Sequence, residues 1–229
     1  MNFFKRTKSP EIISLHIPKT AGTSFRNILK SVYGDKNVVR FDINNNGVVR
    51  LNEEIYSAKQ LPPSKVIHGH FHYEILTSVF QLPEHYKFIT WVRDPVKRVL
   101  SNFYYLESRL KEILNEDKKN LNILSKMQRS LIEYARVDIN RNRQSKFLKG
   151  KPLETFDFIG IQENFHEEVT RLSQVLGWKS IPEVLFHNKT EGRPIELPTE
   201  ILEEIRELNM EDLELYREAL RIRDNKFSV

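Results

Sequence analysis

"IISLHIPKTAGTSFRNILKSVYG", residues 12–34, is the stretch that decides the fold of this chain. Residues 12–17 form an apolar run that is typical of a buried strand, and from residue 24 onward the apolar residues recur at helical spacing. Between these elements lies the first turn (residues 18–24), which combines small residues, hydroxyl groups and Lys19. Because the first backbone N–H groups of a helix have no partner within it, a turn from a strand into a helix favours an anionic ligand.

The position of the lysine distinguishes the first turn from the usual phosphate loop. In GxxxxGK[ST] the lysine follows the second glycine, whereas Lys19 precedes Gly22. Ala21 and Gly22 are small enough for a ligand to approach the backbone, and Thr23 or Ser24 can cap the helix. The same residues would also suit an ordinary turn with a solvated lysine. The first turn therefore predicts a phosphate site only in combination with a second one.

A second turn of similar chemistry lies within "RDPVKRVLSNFYY", residues 93–105. Arg93 follows an apolar, β-branched run, Pro95 suits the first position of a helix, and Asp94 suits its N-cap. Ser101 lies about two helical turns after Arg93 and can point back toward the same anion. The alternative is a helix that starts with an Arg–Asp pair and carries a surface serine. Together, the two turns fit a ligand with two separated phosphate groups.

The rest of the chain alternates between short apolar runs and longer helical patterns. Strands are predicted at 38–41, 65–71, 87–92 and 156–161, with helices between and after them. We therefore predict an α/β fold in which residues 1–229 form a single domain with a central, mostly parallel sheet flanked by helices. Ligands bind such sheets at the carboxyl ends of the strands, where both turns lie.

The composition narrows the function classes. The chain has 229 residues, 39% of them hydrophobic, and no apolar run of 18 residues, so it is predicted to be globular and without a membrane span. The net charge of +5 comes without a basic run, which argues against nucleic acid as a partner. The absence of cysteine excludes disulfides and fits a cytoplasmic location. Residues 1–10 lack the apolar core of a signal peptide and are expected to be a flexible N-terminus.

The segment "HGHFH" holds His68, His70 and His72. On a continuous strand all three side chains would fall on one face. Three interpretations remain open: a metal site shared by imidazoles, ordinary partly buried histidines, or a general base beside a reacting group. The metal interpretation is weakened because the chain has no cysteine and the segment has no adjacent carboxylate.

"HIPKTAGTSF" followed by "RDPVKRVLSNFYY" resembles the PAPS-dependent sulfotransferases, in particular their carbohydrate (heparan 2-O-sulfotransferase-like) branch. The resemblance implies a P-loop-kinase-like sulfotransferase fold and the donor PAPS (3′-phosphoadenosine-5′-phosphosulfate), with 3′,5′-ADP as product and no metal. In that family the first turn binds the 5′-phosphosulfate end, which implies a role for Lys19, Thr20, Ala21, Gly22, Thr23 and Ser24. Arg93 and Ser101 would bind the 3′-phosphate.

Two further segments are similar to the family. "HGH" resembles its histidine pair, whose second member is the base, so His70 is predicted as general base with His68 in support. "FHNKTEGRP", residues 186–194, resembles the late loop that closes over the nucleotide, which implies Asn188, Lys189 and Thr190. His16 is expected to be structural, and no role is predicted for His72.

These patterns predict a sulfotransferase that moves a sulfuryl group from PAPS to an acceptor hydroxyl, with Lys19 and His70 as catalytic residues. The resemblance favours a saccharide as acceptor. The region 40–64 and a helical insert at 107–145 are expected to shape the acceptor pocket. The alternatives are a nucleotide or small-molecule kinase, and a non-catalytic nucleotide- or glycan-binding module on the same fold.

Overall fold

The computed structural model describes residues 10–116, 130–182 and 197–227. Its strands are β1 (Ile12–Leu15), β2 (Val38–Ile43), β3 (Val49–Leu51), β4 (Glu54–Ile55), β5 (Val66–Gly69), β6 (Lys87–Val92) and β7 (Phe158–Ile161). They form one sheet in the order β4-β3-β2-β5-β1-β6-β7. Neighbours from β2 to β7 in that order are parallel, and only the β2–β3 and β3–β4 pairs are antiparallel. The predicted α/β fold with a mostly parallel central sheet is therefore confirmed.

Helices cover both faces of this sheet. The described helices are α1 (Gly22–Tyr33), α2 (Tyr73–Val79), α3 (Pro95–Glu116), α4 (Leu131–Arg136), α5 (Arg143–Leu148), α6 (Phe165–Val175), α7 (Thr199–Glu207) and α8 (Met210–Phe227). Helices α1 and α6 pack on one face, and α2, α5 and α8 pack on the other. A third apolar cluster joins α3, α4 and α7.

The alternation of side chains along β1 explains why both faces are buried. Ile12 belongs to the cluster under α1 and α6, whereas Ile13 and Leu15 belong to the cluster under α2, α5 and α8. All four residues of β1 are buried, as expected for a central parallel strand that is covered on both sides.

Strand β5 is shorter than predicted. It ends at Gly69, where an added Cβ would lie 1.9 Å from the carbonyl oxygen of Phe41, so only glycine permits this approach of β2. The next backbone N–H, that of His70, donates to Asp42 Oδ1 at 2.8 Å instead of to the neighbouring strand's backbone. His72 then becomes the N-cap residue of α2. The expectation that three histidines share one face of a strand is therefore wrong.

Other predicted segments are only partly covered by the structure. The predicted insert 107–145 contains the end of α3, all of α4 and the start of α5, while its middle lies outside the described residues. Nine of the ten residues of the predicted flexible N-terminus also lie outside them. No helix in the described part of the chain has the length and apolar character needed to span a membrane.

Candidate active site

The carboxyl ends of the three central strands deliver three predicted segments to one edge of the sheet. The first turn follows β1, His70 follows β5, and Arg93 follows β6. Direct contacts join them: the His16 backbone N–H donates to the Gly69 carbonyl at 2.8 Å, and Arg93 Nη1 donates to the Lys19 carbonyl at 3.1 Å. The two turns that were paired on the basis of sequence are therefore neighbours in space.

The backbone of the first turn adopts an unusual conformation. Lys19 and Ala21 both have positive φ, 72° and 66°, although neither is glycine. Each such residue costs of order 1–2 kcal/mol. When a residue with left-handed backbone angles stands next to one with right-handed angles, the successive N–H groups point toward the same side and form an anion-binding concavity. The turn thus holds strain in a shape that suits a phosphate group.

The hydroxyl groups of the first turn face different surroundings. Thr20 is fully buried, and its hydroxyl donates to the Ile17 carbonyl at 2.8 Å. This hydrogen bond stabilises the turn and uses the hydroxyl proton of Thr20. The backbone N–H of Thr20 is then the group of this residue that can donate to an anion. The Thr23 side chain is exposed, whereas Ser24 is buried in the first turn of α1.

Lys19 contacts an aromatic side chain that the sequence patterns did not single out. Its Nζ lies 3.9 Å from the centroid of the Tyr105 ring, a cation–π geometry. Tyr105 lies four residues after Ser101 on α3, so the two side chains share one helix face. The contact therefore connects the lysine of the first turn to the helix that follows the second.

Arg93 is held from several directions. Its guanidinium donates to the Lys19 carbonyl, and its Nε lies 3.8 Å from Glu163 Oε1. Its backbone exchanges two hydrogen bonds of 2.8 Å with the side-chain amide of Gln144. Only 12% of the Arg93 side chain is exposed. The guanidinium thus has a fixed position at the end of β6.

The second turn leads into α3 as predicted. Asp94 Oδ1 accepts from the Lys97 backbone N–H at 2.9 Å, which confirms Asp94 as the N-cap. Glu163 accepts from the Asp94 backbone N–H at 3.2 Å and from the Tyr216 hydroxyl at 3.1 Å. Glu163 therefore positions both Arg93 and the start of α3, a role that was not predicted from the sequence. Ser101 lies two turns farther along α3 and is buried.

The hydrogen bonds of His70 define which of its ring nitrogens can act as a base. Nδ1 lies 2.8 Å from the carbonyl oxygen of His16. A carbonyl oxygen only accepts hydrogen bonds, so Nδ1 carries the proton and Nε2 of the neutral ring keeps a lone pair. Burial lowers the pKa of His70, which favours this neutral form. The arrangement suits a general base.

His68 and His72 have different surroundings. His68 is buried, its Nδ1 lies 2.8 Å from Ser14 Oγ, and burial lowers its pKa to about 3. It supports the cluster as a neutral ring. His72 turns away toward α5, where its Nδ1 donates to the Lys146 carbonyl at 2.9 Å and its ring stacks on Phe147.

His16, expected to be structural, lies between the other two histidines. Its ring stacks on His70 with a centroid distance of 4.2 Å and on His68 with 5.1 Å. Rings stacked in this way do not converge on one point, as metal ligands do. Within the described ranges no group of three or more potential metal ligands is found. The histidine cluster (His16, His68, His70) is therefore a stack of neutral rings beside the first turn.

The predicted late-loop residues Asn188, Lys189 and Thr190 lie outside the described residues. Their role in binding a nucleotide stays a prediction.

Comparison with protein-family models assigns the chain to one family. A family model described as the sulfotransferase family matches residues 2–217. Among solved structures, the chain is similar to mouse sulfotransferase SULT7A1 complexed with PAP, at 12% sequence identity and a TM-score of 0.43. That match covers 91% of this chain and 67% of the mouse chain. A comparison with curated proteins gave no match.

Proposed function

Since the chain belongs to the sulfotransferase family, we propose that it transfers a sulfuryl group from PAPS to an acceptor hydroxyl and releases 3′,5′-ADP. The observation that carries this proposal is the hydrogen bond between Arg93 and the Lys19 carbonyl, with the His70 ring bound to the neighbouring His16 carbonyl. A cation for each end of a doubly phosphorylated nucleotide and a neutral base thus lie at one edge of the sheet.

The donor would be bound by both turns. The N–H groups of the first turn and Lys19 would hold the 5′-phosphosulfate, because positive φ at Lys19 and Ala21 shapes the backbone for an anion. Arg93 and Ser101 would hold the 3′-phosphate, which a guanidinium binds through two parallel hydrogen bonds. Residues Asn188, Lys189 and Thr190 of the late loop would complete the nucleotide site.

The chemical step follows from these roles. His70 Nε2 takes the proton of the acceptor hydroxyl as its oxygen bonds to sulfur, and the bond from sulfur to the 5′-phosphate oxygen breaks. Lys19 stabilises the negative charge that grows on the leaving oxygen. His68 stays neutral because burial lowers its pKa to about 3, and its ring stacks on that of His16. The transferred group carries one negative charge and the chain supplies the cations, so we propose that no metal is required.

Arg143 supports an acidic saccharide as the acceptor. It is partly buried, and among the described residues no carboxylate pairs with it. The positive charge of Arg143 interacts electrostatically with both His70 and His72 and contributes to their lowered pKa values. A saccharide with a carboxylate or sulfate group near the reacting hydroxyl would supply the missing anion. The segments around α3 and α4 would line the rest of the acceptor site.

Nucleotide affinities measured by calorimetry test the donor assignment. The wild type should bind 3′,5′-ADP more tightly than 5′-AMP, and Arg93→Ala should remove about 2–3 kcal/mol of that difference, the value of a charge-assisted pair. Lys97→Ala is the control, because Lys97 is an exposed cation in the first turn of the same helix. Equal affinity of the wild type for both nucleotides, or a preference for ATP with magnesium, would overturn the proposal.

A turnover assay tests the acceptor. PAPS labelled in its sulfuryl group is incubated with neutral saccharides and with saccharides that carry a carboxylate or a sulfate. We expect transfer to the acidic saccharides, reduced in Arg143→Ala. Transfer to neutral saccharides alone would contradict the role of Arg143, and donor binding without transfer to any acceptor would favour a non-catalytic nucleotide-binding module.

A further inference from the structure

The side chain of His16 touches both halves of the proposed active site. Its ring stacks on His70 at a centroid distance of 4.2 Å and an interplanar angle of 28°. Gly22, the first residue of α1, also lies against the His16 ring. A Cβ at Gly22 would lie 1.8 Å from His16 Nε2, and its three nearest atoms would all belong to the His16 ring. The ring therefore fills the space between the first turn and the base.

We propose that His16 is a positioning residue that joins the anion-binding turn to the base, with its ring packed against both Gly22 and His70. The inference rests on the proposed function, in which Gly22 belongs to the donor site and His70 takes the acceptor proton. It assigns to His16 no contact with either substrate. Its effect on the reaction is transmitted through the two residues that it touches.

His16 fixes His70 in two ways. Its carbonyl accepts the Nδ1 proton at 2.8 Å, which sets the tautomer, and its ring covers one face of the His70 ring, which limits rotation about the side-chain bonds. The carbonyl would survive any substitution, but the ring would not. The side chain at position 16 therefore decides how firmly Nε2 of His70 is aimed.

The ring of His16 also keeps water from His70. Burial is the largest cause of the lowered pKa of His70. The charged and titratable groups around it are Asp42 and Arg40 on β2, Arg143 on α5, and the neighbouring His68 and His16. Removing the His16 ring would admit water to one face of His70, so protonation would become easier and its pKa would rise toward the ordinary value of about 6.5.

A double-mutant cycle of thermal stability in the unliganded protein tests the contact with Gly22. Alone, Gly22→Ala should lower Tm, because the methyl group would collide with the His16 ring. In a His16→Ala background the same change should cost much less. Gly160→Ala is the control, because its methyl group would meet Trp91 instead and should cost the same in both backgrounds. If Gly22→Ala lowered Tm equally in both backgrounds, the proposed contact between Gly22 and the His16 ring would be overturned.

NMR titration of His70 in the unliganded protein tests the other contact. We expect the His70 pKa to rise in His16→Ala and to stay low in His16→Phe, which keeps a ring in the stack. His72→Ala is the control, since His72 stacks on Phe147 instead. If His16→Ala does not fold, His16→Val also removes the ring and should give the same rise. An unchanged His70 pKa in the ring-less variant would contradict the proposal. Neither experiment uses turnover, so both results stand apart from the outcome of the sulfotransfer assays.

Discussion

The hydrogen bond from His70 Nδ1 to the His16 carbonyl decides which ring nitrogen can take a proton. A histidine whose Nδ1 had no such partner would divide its population between two tautomers, and only one of them presents a lone pair at Nε2. The Asp42 carboxylate adds a second constraint, because it accepts from the His70 backbone N–H at 2.8 Å. At the scale of single residues, the orientation of the proposed base is therefore set by two hydrogen bonds that do not involve Nε2, its reactive nitrogen.

Replacement of His70 should separate catalysis from donor binding. His70→Ala should lower kcat by roughly 10²–10⁴, the usual contribution of a positioned general base, and leave the affinity for 3′,5′-ADP nearly unchanged. Steady-state kinetics and calorimetry measure the two quantities. His85→Ala, at an exposed histidine, is the control. A normal kcat in His70→Ala would show that another group takes the proton.

The ring of Tyr105 should matter through Lys19. Tyr105→Leu removes the ring over Nζ, and an exposed cation–π contact contributes about 0.5–1 kcal/mol, so we expect kcat to fall about 2- to 5-fold. Tyr105→Phe keeps a ring and should retain kcat. Phe103→Leu controls for packing, because it truncates an aromatic side chain on the same helix as Tyr105 that packs against Tyr134 of α4. Equal rates in Tyr105→Leu and Tyr105→Phe would contradict the contact with Lys19.

Single residues also show what the sequence could and could not predict. Lys19, Arg93 and His70 lie at or shortly after the ends of apolar runs, and such runs end where parallel strands present their carboxyl ends, so the approximate location of these residues was predictable. The roles of Tyr105 and Glu163 were not, because each depends on a contact with a residue far away in the chain. The spacing of residues in the sequence does not predict which distant residues come into contact until the fold is known.

Helix α8 supports the second turn through a chain of buried contacts. Asp212 on α8 accepts from the Ser145 backbone N–H at 2.8 Å and from the Gln144 backbone N–H at 3.1 Å. It also lies 3.9 Å from Nε of Arg98 on α3, and both side chains are fully buried. Because the Gln144 side chain in turn holds the Arg93 backbone, elements α3, α5 and α8 act together on the predicted 3′-phosphate site.

Loss of Asp212 should therefore be costly. Asp212→Ala leaves the buried Arg98 guanidinium without its carboxylate, and we expect the free energy of unfolding to fall by about 3–5 kcal/mol. Urea denaturation measures the change. Asp138→Ala removes the exposed ion pair with Lys146 and should cost at most about 1 kcal/mol. Similar losses in the two variants would contradict the importance of the buried pair.

At the same scale, elements with a clear apolar pattern were easier to predict than elements without one. The bounds of β6 agree with the prediction, since its apolar run is bounded on both sides by charged residues. Helices α2 and α5 and the β3–β4 pair were missed. They span two to seven residues, too few for a helical or alternating pattern to appear. Packing against the sheet, and not local preference, determines these elements.

For the molecule as a whole, the buried histidines make stability depend on pH. Burial lowers the pKa values of His16, His68, His70 and His72, that of His68 to about 3. The unfolded chain therefore binds more protons than the folded protein below about pH 6.5, and the stability that these neutral rings provide is lost as the pH falls. Glu168 has the opposite effect. Burial raises its pKa to about 7, so its contribution to the free energy of unfolding falls as the pH rises from about 4.5.

Four histidines outweigh one glutamate, so we expect a lower free energy of unfolding at about pH 5 than at about pH 7. Urea denaturation at the two pH values tests this. His68→Phe removes one buried titrating ring and should reduce the difference, whereas His85→Ala, at an exposed position, should not. Equal or greater stability at about pH 5 would show that these rings are protonated in the folded protein.

The alternation of strand and helix patterns was sufficient to predict the class of the whole molecule, because a parallel strand needs a helical crossover to its neighbour. It did not predict the order of the strands, which depends on which faces pack together. The order places β1 between β5 and β6, and that placement brings the first turn, His70 and Arg93 to one edge.

The central position of β1 has a consequence for how the protein is made. A ribosome synthesises the chain from its N-terminus, so β1 is made before either of its neighbours, β5 and β6. Its first neighbour, β5, is complete only when translation has passed Gly69, and its second neighbour, β6, only when translation has passed Val92. The Asp212 carboxylate that pairs with Arg98 arrives much later still. The first turn is among the earliest segments to be translated, yet the buried contacts that support its neighbour Arg93 are complete only after most of the chain has been made.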